Sequence, residues 1–208
     1  SRKSRFVKYL WISFGSLVGL FYLFFILIYN GVIGYMPSIE EIANPQNKYA
    51  SFIYSADGEE IGRYYAGSGN RVYSDMAEIP QHMIDALIAT EDERFYEHSG
   101  IDVKSLFRAI IKTGIMGEEN AGGGSTLTQQ LAKQIYTEKP ATDKAERLMQ
   151  KPVEWMIALK LERNYSKDEI IKMYLNRFDF LYNAVGLKSA AHVYFGKEPK
   201  DLTIEEAA

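Results

Sequence analysis

The first thirty-nine residues divide sharply by polarity. Arg2, Lys3, Arg5 and Lys8 crowd into the first eight positions, and no charged residue then appears from Tyr9 to Ile39. Within that window Tyr9 to Tyr29 is almost wholly apolar. Wound as a helix, the stretch spans roughly 31 Å, the thickness of a bilayer's hydrocarbon core. Tyr9, Trp11, Tyr29 and Tyr35 sit near its two ends, where aromatic belts form. Basic residues ahead of the span predict a cytoplasmic N-terminus with the rest of the chain outside. A cleaved signal peptide would have a shorter apolar core and a small-x-small cleavage site, so the pattern reads as an uncleaved anchor. A buried soluble helix this long and apolar all round would need a larger protein around it.

Past the span the polarity pattern changes period. Met36-Pro37-Ser38 is expected to break the helix, and Glu40 to Gln46, with Pro45, reads as a linker. Tyr49 to Tyr54 and Ile61 to Tyr65 are rich in β-branched and aromatic residues and flank Ser55-Ala56-Asp57-Gly58, which predicts a small hairpin. From Pro80 onward the pattern is helical. Met83, Ile84, Leu87 and Ile88 share one face of a helix running toward Thr90. Asp102 can cap a helix striped by Val103, Leu106, Phe107, Ile110, Ile111 and Ile115, with Gly117 ending it. Thr126 with Gln129 forms a capping-box pair, as do Asp143 with Glu146 and Ser166 with Glu169. The helix after Asp143 carries Pro152, so a kink is expected. A last helix, Leu187 to Phe195, should stop at Gly196. The chain opens without Met and closes on Leu202 to Ala208, the start of a further helix, which reads as a truncated fragment.

Composition narrows the chemistry. With 47% hydrophobic and 25% charged residues, the chain of 208 is globular rather than disordered or fibrous. Having no cysteine, it has no disulfide framework, thiol nucleophile or cysteine-ligated metal. The first eight residues carry +4, so −7 falls on the remainder of a chain whose net charge is −3. Nothing in that balance points to nucleic acid. His82, His98 and His192 have no metal-ligand spacing.

Three polar clusters stand out. Glu91-Asp92-Glu93 closes an otherwise apolar helix, unfavourably placed against the helix dipole. It is either a solvated helix end, or a site where a partly desolvated Glu91 is tuned as a general base. Gly122-Gly123-Gly124-Ser125-Thr126 precedes a helix start, followed by Gln129, Gln130 and Lys133. That arrangement is a flexible linker or an anion site, and it lacks the lysine of a Walker loop. Arg147, Lys151 and Glu154 share one helical face, as a surface ion-pair ladder or as cations and a second carboxylate facing Glu91. The stripe around Phe107, Ile111 and Met116 is either core or a segment dipping into the bilayer surface.

Taken together the clusters resemble the peptidoglycan glycosyltransferases of family 51, found in monofunctional transglycosylases and in bifunctional class A penicillin-binding proteins. Glu91-Asp92, Phe95, His98 and Gly100 match E-D-x-x-F-x-x-H-x-G. Gly123 to Lys133 match G-G-S-T-[IL]-T-Q-Q-[LV]-x-K, and Lys151 and Glu154 match the end of R-K-x-x-E. Lys167 to Asn176 look like K-x-E-I-[IL]-x-x-Y-L-N, and Ala190 to Lys197 resemble A-A-x-x-Y-F-G-K. The resemblance implies a mainly α, lysozyme-like domain with a small β element behind one transmembrane helix. Residues 1–8 would be a cytoplasmic tail, 9–36 the anchor, 37–48 a linker, and 49–208 a C-terminally truncated catalytic domain. It also implies polymerisation of lipid II on a growing glycan chain, with release of undecaprenyl pyrophosphate. Glu91 would be the general base and Glu154 the second catalytic carboxylate. Ser125, Gln129, Gln130, Lys133, Arg147 and Lys151 would hold donor sugar and pyrophosphate. No cofactor is obligatory, although a divalent cation, Mg or Mn, would suit the pyrophosphate. Membrane lipid and proteins of cell-wall synthesis or division are the implied partners, and the implied home is the cell membrane.

The chain also departs from the family pattern. Its R-x-x-x-R-K-x-x-E would put arginines where Glu146 and Gln150 stand, with Arg147 one residue off. Gln134 replaces the usual Asn, and Leu181, Asn183 and Val185 replace glycines and a tyrosine. Two rivals remain. A glycan-cleaving hydrolase also needs carboxylates but no pyrophosphate site. An inactive scaffold would have no need to retain both Glu91 and Glu154.

Overall fold

A computed structural model describes residues 2–38, 40–41, 51–64, 72–109, 111–112, 124–136 and 144–207. Residues 42–48 of the expected linker, the ends of the hairpin at Tyr49 and Tyr65, the segment from Ile115 to Gly123, and Asp143 lie outside the described residues.

The apolar N-terminal segment is one helix, α1, Arg2–Tyr29. Its 25-residue stretch Arg5–Tyr29, of mean hydropathy 2.2, is long and apolar enough to cross a membrane. Its side chains are exposed from Arg5 through Leu23, whereas Ile28 in the last turn is fully buried. The helix stops earlier than Met36-Pro37 suggested. Gly31 and Gly34 adopt φ of +70° and +76°, a left-handed conformation that ends the helix at low steric cost. Val32 N–H then donates to the Leu27 carbonyl at 2.9 Å. Farther on, the Lys160 ammonium donates to the Pro37 carbonyl at 2.7 Å, fastening the anchor's exit to the domain.

The hairpin is present, with β1 (Ser51–Tyr54) antiparallel to β2 (Glu60–Tyr64) and an irregularity between Ile53 and Tyr54. Gly58, at φ +86°, makes its turn. Ile53, Tyr54, Ile61 and Tyr64 are all exposed, so this sheet adds little to the core.

The remaining described elements are helical. They are α2 (Gln81–Glu91), α3 (Val103–Ala109), α4 (Leu127–Tyr136), α5 (Lys144–Asn164), α6 (Lys167–Arg177), α7 (Leu187–Phe195) and α8 (Ile204–Ala207). Helix α5 runs uninterrupted through Pro152 and forms the axis of the packing, against α1, α4 and α6. Val153, Ile157, Ala158 and Leu161 of α5 meet Leu127 and Leu131 of α4 and Ile170, Ile171 and Leu175 of α6. Burying each large aliphatic side chain contributes about 1.5–3 kcal/mol. The local stop and start signals behave as expected at two ends. Ser166 and Glu169 form a full capping box, and Gly196, at φ +63°, closes α7.

Two backbone approaches tighten the packing near the chemistry. Gly100 sits at φ +90°, and a Cβ there would stand 3.0 Å from the Ala158 carbonyl oxygen of α5. Buried Asn176 accepts from Ser74 N–H at 2.7 Å and donates back to its carbonyl at 2.8 Å, pinning residues 72–75 to α6.

Candidate active site

Glu91 is the last residue of α2, beyond its packed face of Ile84, Leu87 and Ile88. It is therefore exposed, as in the solvated-end alternative. The buried acid of the pair is Asp92. Asp92 accepts from Leu127 N–H at 2.9 Å, capping the start of α4, and faces His98 Nε2 at 3.0 Å. Gly100 N–H donates to His98 Nδ1 at 3.2 Å, which assigns the proton to Nε2 and makes the imidazole a donor to Asp92. Phe95, fully buried, supports this turn from below.

The start of α4 is organised differently from the expected capping box. Thr126 Oγ1 does accept from Gln129 N–H at 3.2 Å. The Gln129 side chain, however, does not reach back to Thr126. Its amide donates to the Gly100 carbonyl at 3.2 Å, where the Thr126 hydroxyl also donates at 2.7 Å. Gln129 is only 3% exposed, so its first duty is to lock the 98–100 turn onto α4. Gln130, one residue on, faces the cleft. Its amide donates to Glu91 Oε2 at 2.7 Å, and its carbonyl oxygen accepts from the Tyr174 hydroxyl at 3.0 Å. That second bond fixes which way the amide points. Burial, reinforced by the Glu91 charge, pushes the Tyr174 hydroxyl far above its ordinary pKa, so it stays a donor.

From α5, Arg147 and Lys151 line the same space. Lys151 Nζ lies 2.6 Å from Glu154 Oε2 and 3.2 Å from Ser125 Oγ. Glu154 is 3% exposed and lies beneath Lys151 rather than on the cleft wall, so it does not face Glu91 directly. Glu146 and Gln150, where the family pattern would have arginines, are also absent from the wall. The cleft holds about 820 Å³ and is lined by Glu91, Ser125, Gln129, Gln130, Lys133, Arg147 and Lys151, among others. Every site residue singled out in the sequence except Glu154 is on its surface. Gly122 and Gly123 of the glycine run lie outside the described residues.

Several wall residues were not anticipated: Arg94, Ser105, Arg108 and Asp179. Asp102, expected as a helix cap, does cap α3, accepting from Lys104 and Ser105 N–H at 3.0 and 3.2 Å. It also takes the Ser105 hydroxyl at 2.5 Å and the Arg94 guanidinium at 2.7 Å. Burial alone would raise its pKa, but these donors and the Arg94 charge outweigh it and hold the carboxyl below its usual range. No spacing along the chain marks Arg94 or Arg108 as facing the cleft. Among the described residues no group of three His, Asp or Glu side chains is placed to hold a metal ion. The stripe residues Val103, Phe107 and Ile111 are exposed, with Phe107 at 61%, so this part of the stripe is not core. Ile110, Ile115 and Met116 lie outside the described residues.

The cleft thus has a carboxylate at its rim, cations on its walls and a capped helix start between them. The chain belongs to the transglycosylase family, whose model matches residues 57–208, and its mainly α fold is the lysozyme-like one of that family. It is 43% identical over 159 residues to penicillin-binding protein 1F of Bacillus subtilis, covering 76% of this chain and 21% of that protein. It is 36% identical over 212 residues to penicillin-binding protein 1A of Escherichia coli, covering 98% of this chain and 23% of that one. Penicillin-binding protein 1A of Neisseria gonorrhoeae is 39% identical over 175 residues, 83% of this chain and 21% of that one. The chain thus spans about a fifth of the length of the curated relatives it matches.

Proposed function

We propose that this chain carries the peptidoglycan glycosyltransferase activity of a membrane-anchored enzyme that polymerises lipid II. The observation that carries the reading is the single cleft in which Glu91 meets Lys133, Arg147 and Lys151. In this reading Glu91 takes the proton from the acceptor's GlcNAc 4-hydroxyl. The freed oxygen forms a bond to the anomeric carbon of the growing chain's terminal MurNAc. The bond from that carbon to the diphosphate oxygen breaks with inversion, and undecaprenyl pyrophosphate leaves with the electron pair. Gln130, aimed by Tyr174, orients the base. Ser125, Lys133, Arg147 and Lys151 answer the negative charge that grows on the leaving group, where preorganised donors act most strongly. Glu154 serves through Lys151, holding its ammonium toward Ser125 and the pyrophosphate. Gln129 contributes by holding the turn that carries His98 and Gly100. A divalent cation would accompany the pyrophosphate on phosphate oxygens, since the described carboxylates form no cage for it.

Localisation follows the same reading. Helix α1 crosses the cell membrane once, with the basic N-terminus in the cytoplasm and the cleft outside, so that enzyme and lipid-linked substrates share one leaflet. The anchor's exit, tied to α5 through Lys160, holds the cleft near that surface. The exposed Val103, Phe107 and Ile111 dip toward the lipid. The matched relatives carry the name penicillin-binding protein, which favours a parent with a second, penicillin-binding domain and partners in cell-wall assembly.

The test is polymerisation of lipid II by the full-length, detergent-solubilised protein. The Glu91→Gln variant is expected to lose turnover while still binding lipid substrate. Wild-type polymerisation by that variant would overturn the base assignment. Release of glycan from preformed cell wall without polymerisation would favour the hydrolase instead.

A further inference from the structure

Five basic side chains line the cleft: Arg94, Arg108, Lys133, Arg147 and Lys151. Two of them are neutralised where they stand, Arg94 by Asp102 at 2.7 Å and Lys151 by Glu154 at 2.6 Å. Among the described residues no carboxylate pairs with Arg108, Lys133 or Arg147. Arg108 differs from the other two in coming from α3, a different wall from α4 and α5. Its position is also built rather than incidental. The Ser105 hydroxyl donates its proton to buried Asp102 at 2.5 Å, which leaves a lone pair for the Arg108 guanidinium, donating at 3.3 Å. Asp102 cannot also neutralise Arg108, because its charge is already met by Arg94. The chain Arg94–Asp102–Ser105–Arg108 therefore delivers one uncompensated guanidinium to the cleft.

We propose that Arg108 is a binding residue for the diphosphate of the lipid-linked substrate, closing on it from the α3 wall while Lys133 and Arg147 close from the others; this rests on the glycosyltransferase reading above. A planar guanidinium can hold two phosphate oxygens at once, with geometry a lysine cannot supply. The assignment also answers a deficit. Glu146 and Gln150 remove two arginines expected of the family, and neither lines the cleft, whereas Arg147 and Arg108 do.

The experiment uses the full-length protein and the Arg108→Ala and Arg108→Lys variants, with Lys104→Ala as a control on the exposed side of α3. Inorganic pyrophosphate binding by calorimetry and steady-state polymerisation of lipid II are read for each. Arg108→Ala is expected to weaken pyrophosphate binding and raise KM by about ten-fold or more, the loss of one charge-assisted contact. Arg108→Lys should recover only part of it, and Lys104→Ala should match wild type. Co-sedimentation with phosphatidylglycerol vesicles separates the two phosphate sources. Unchanged pyrophosphate affinity and KM in Arg108→Ala would overturn the proposal. So would a loss confined to vesicle binding, which would assign Arg108 to lipid headgroups. Failure of the wild-type protein to polymerise, with pyrophosphate still bound through Arg108, would instead count against the reaction.

Discussion

Removing the Lys151 ammonium should cost far more stability than removing the charge of its partner. Glu154 is 3% exposed, and Lys151 is its one partner among the described residues, at 2.6 Å. Lys151→Met strands a carboxylate that is almost wholly buried. Breaking a fully buried pair in this way costs about 3–5 kcal/mol. The lysine side chain here is 35% exposed, so some water reaches the pair and the loss falls nearer about 2–3 kcal/mol. For a domain of this size each kcal/mol moves Tm by about 2–4 °C, giving a drop of about 4–12 °C. Glu154→Gln behaves differently. The amide oxygen can still accept from Lys151, the ammonium keeps Ser125 and solvent, and the cost is about 1 kcal/mol. The double variant leaves no stranded charge and should regain at least half of the loss seen in Lys151→Met. Thermal unfolding of the three variants in one detergent reads all of this, and lipid II polymerisation should fail in each. An equal cost for the two single changes would refute the asymmetry. So would a double variant no more stable than Lys151→Met.

Gly100→Ala should destabilise by about 2–4 kcal/mol, because it adds left-handed strain to a contact of 3.0 Å with the Ala158 carbonyl; chemical denaturation measures it. Asp102 has a lowered folded pKa, so the stability it supplies is complete above its unfolded value of about 3.9 and is lost as pH falls through the folded value. Asp102→Asn should therefore be less stable than wild type at pH 7, with the gap closing at acid pH in melts run across that range. Tyr174→Phe frees the Gln130 amide to turn, and should lower kcat several-fold with little change in Tm. Leu181→Gly should stabilise by about 0.5–1 kcal/mol, the left-handed strain of an exposed leucine at φ +69° less the backbone entropy glycine adds to the unfolded chain. A Tm below wild type would show that the leucine is packed usefully.

The last of these touches a departure from the family pattern. Leu181, Tyr182 and Asn183 all have positive φ, at 69°, 49° and 64°, in the stretch where glycines are usual. Here non-glycine side chains bear the left-handed strain of the turn. Asp179 helps, accepting from Leu181 N–H at 2.9 Å, and Asp179 bridges to Val185 across the loop.

What the sequence determined by itself was much of what neighbours a few residues apart set, with the Thr126–Gln129 box and the end of α1 as exceptions. The span of α1, the Ser166–Glu169 box, the Asp102 cap and the stop at Gly196 depend on period, length and local hydrogen bonds, and each is found. The motif order likewise marked Glu91, Gln130, Lys133 and Lys151 as belonging to one site. The tertiary structure decided burial and pairing, which depend on segments that meet only after folding. Which acid of Glu91-Asp92 is buried follows from Asp92 capping a helix 35 residues away, and which glutamine faces the cleft from the Gln130 bond to Glu91 across 39. No spacing along the chain distinguishes Gln129, held inward by Gly100, from its neighbour. Nor could any spacing show that Arg94 is spent on Asp102 while Arg108 keeps its charge, because a side chain's free charge is fixed by the partners that packing brings to it.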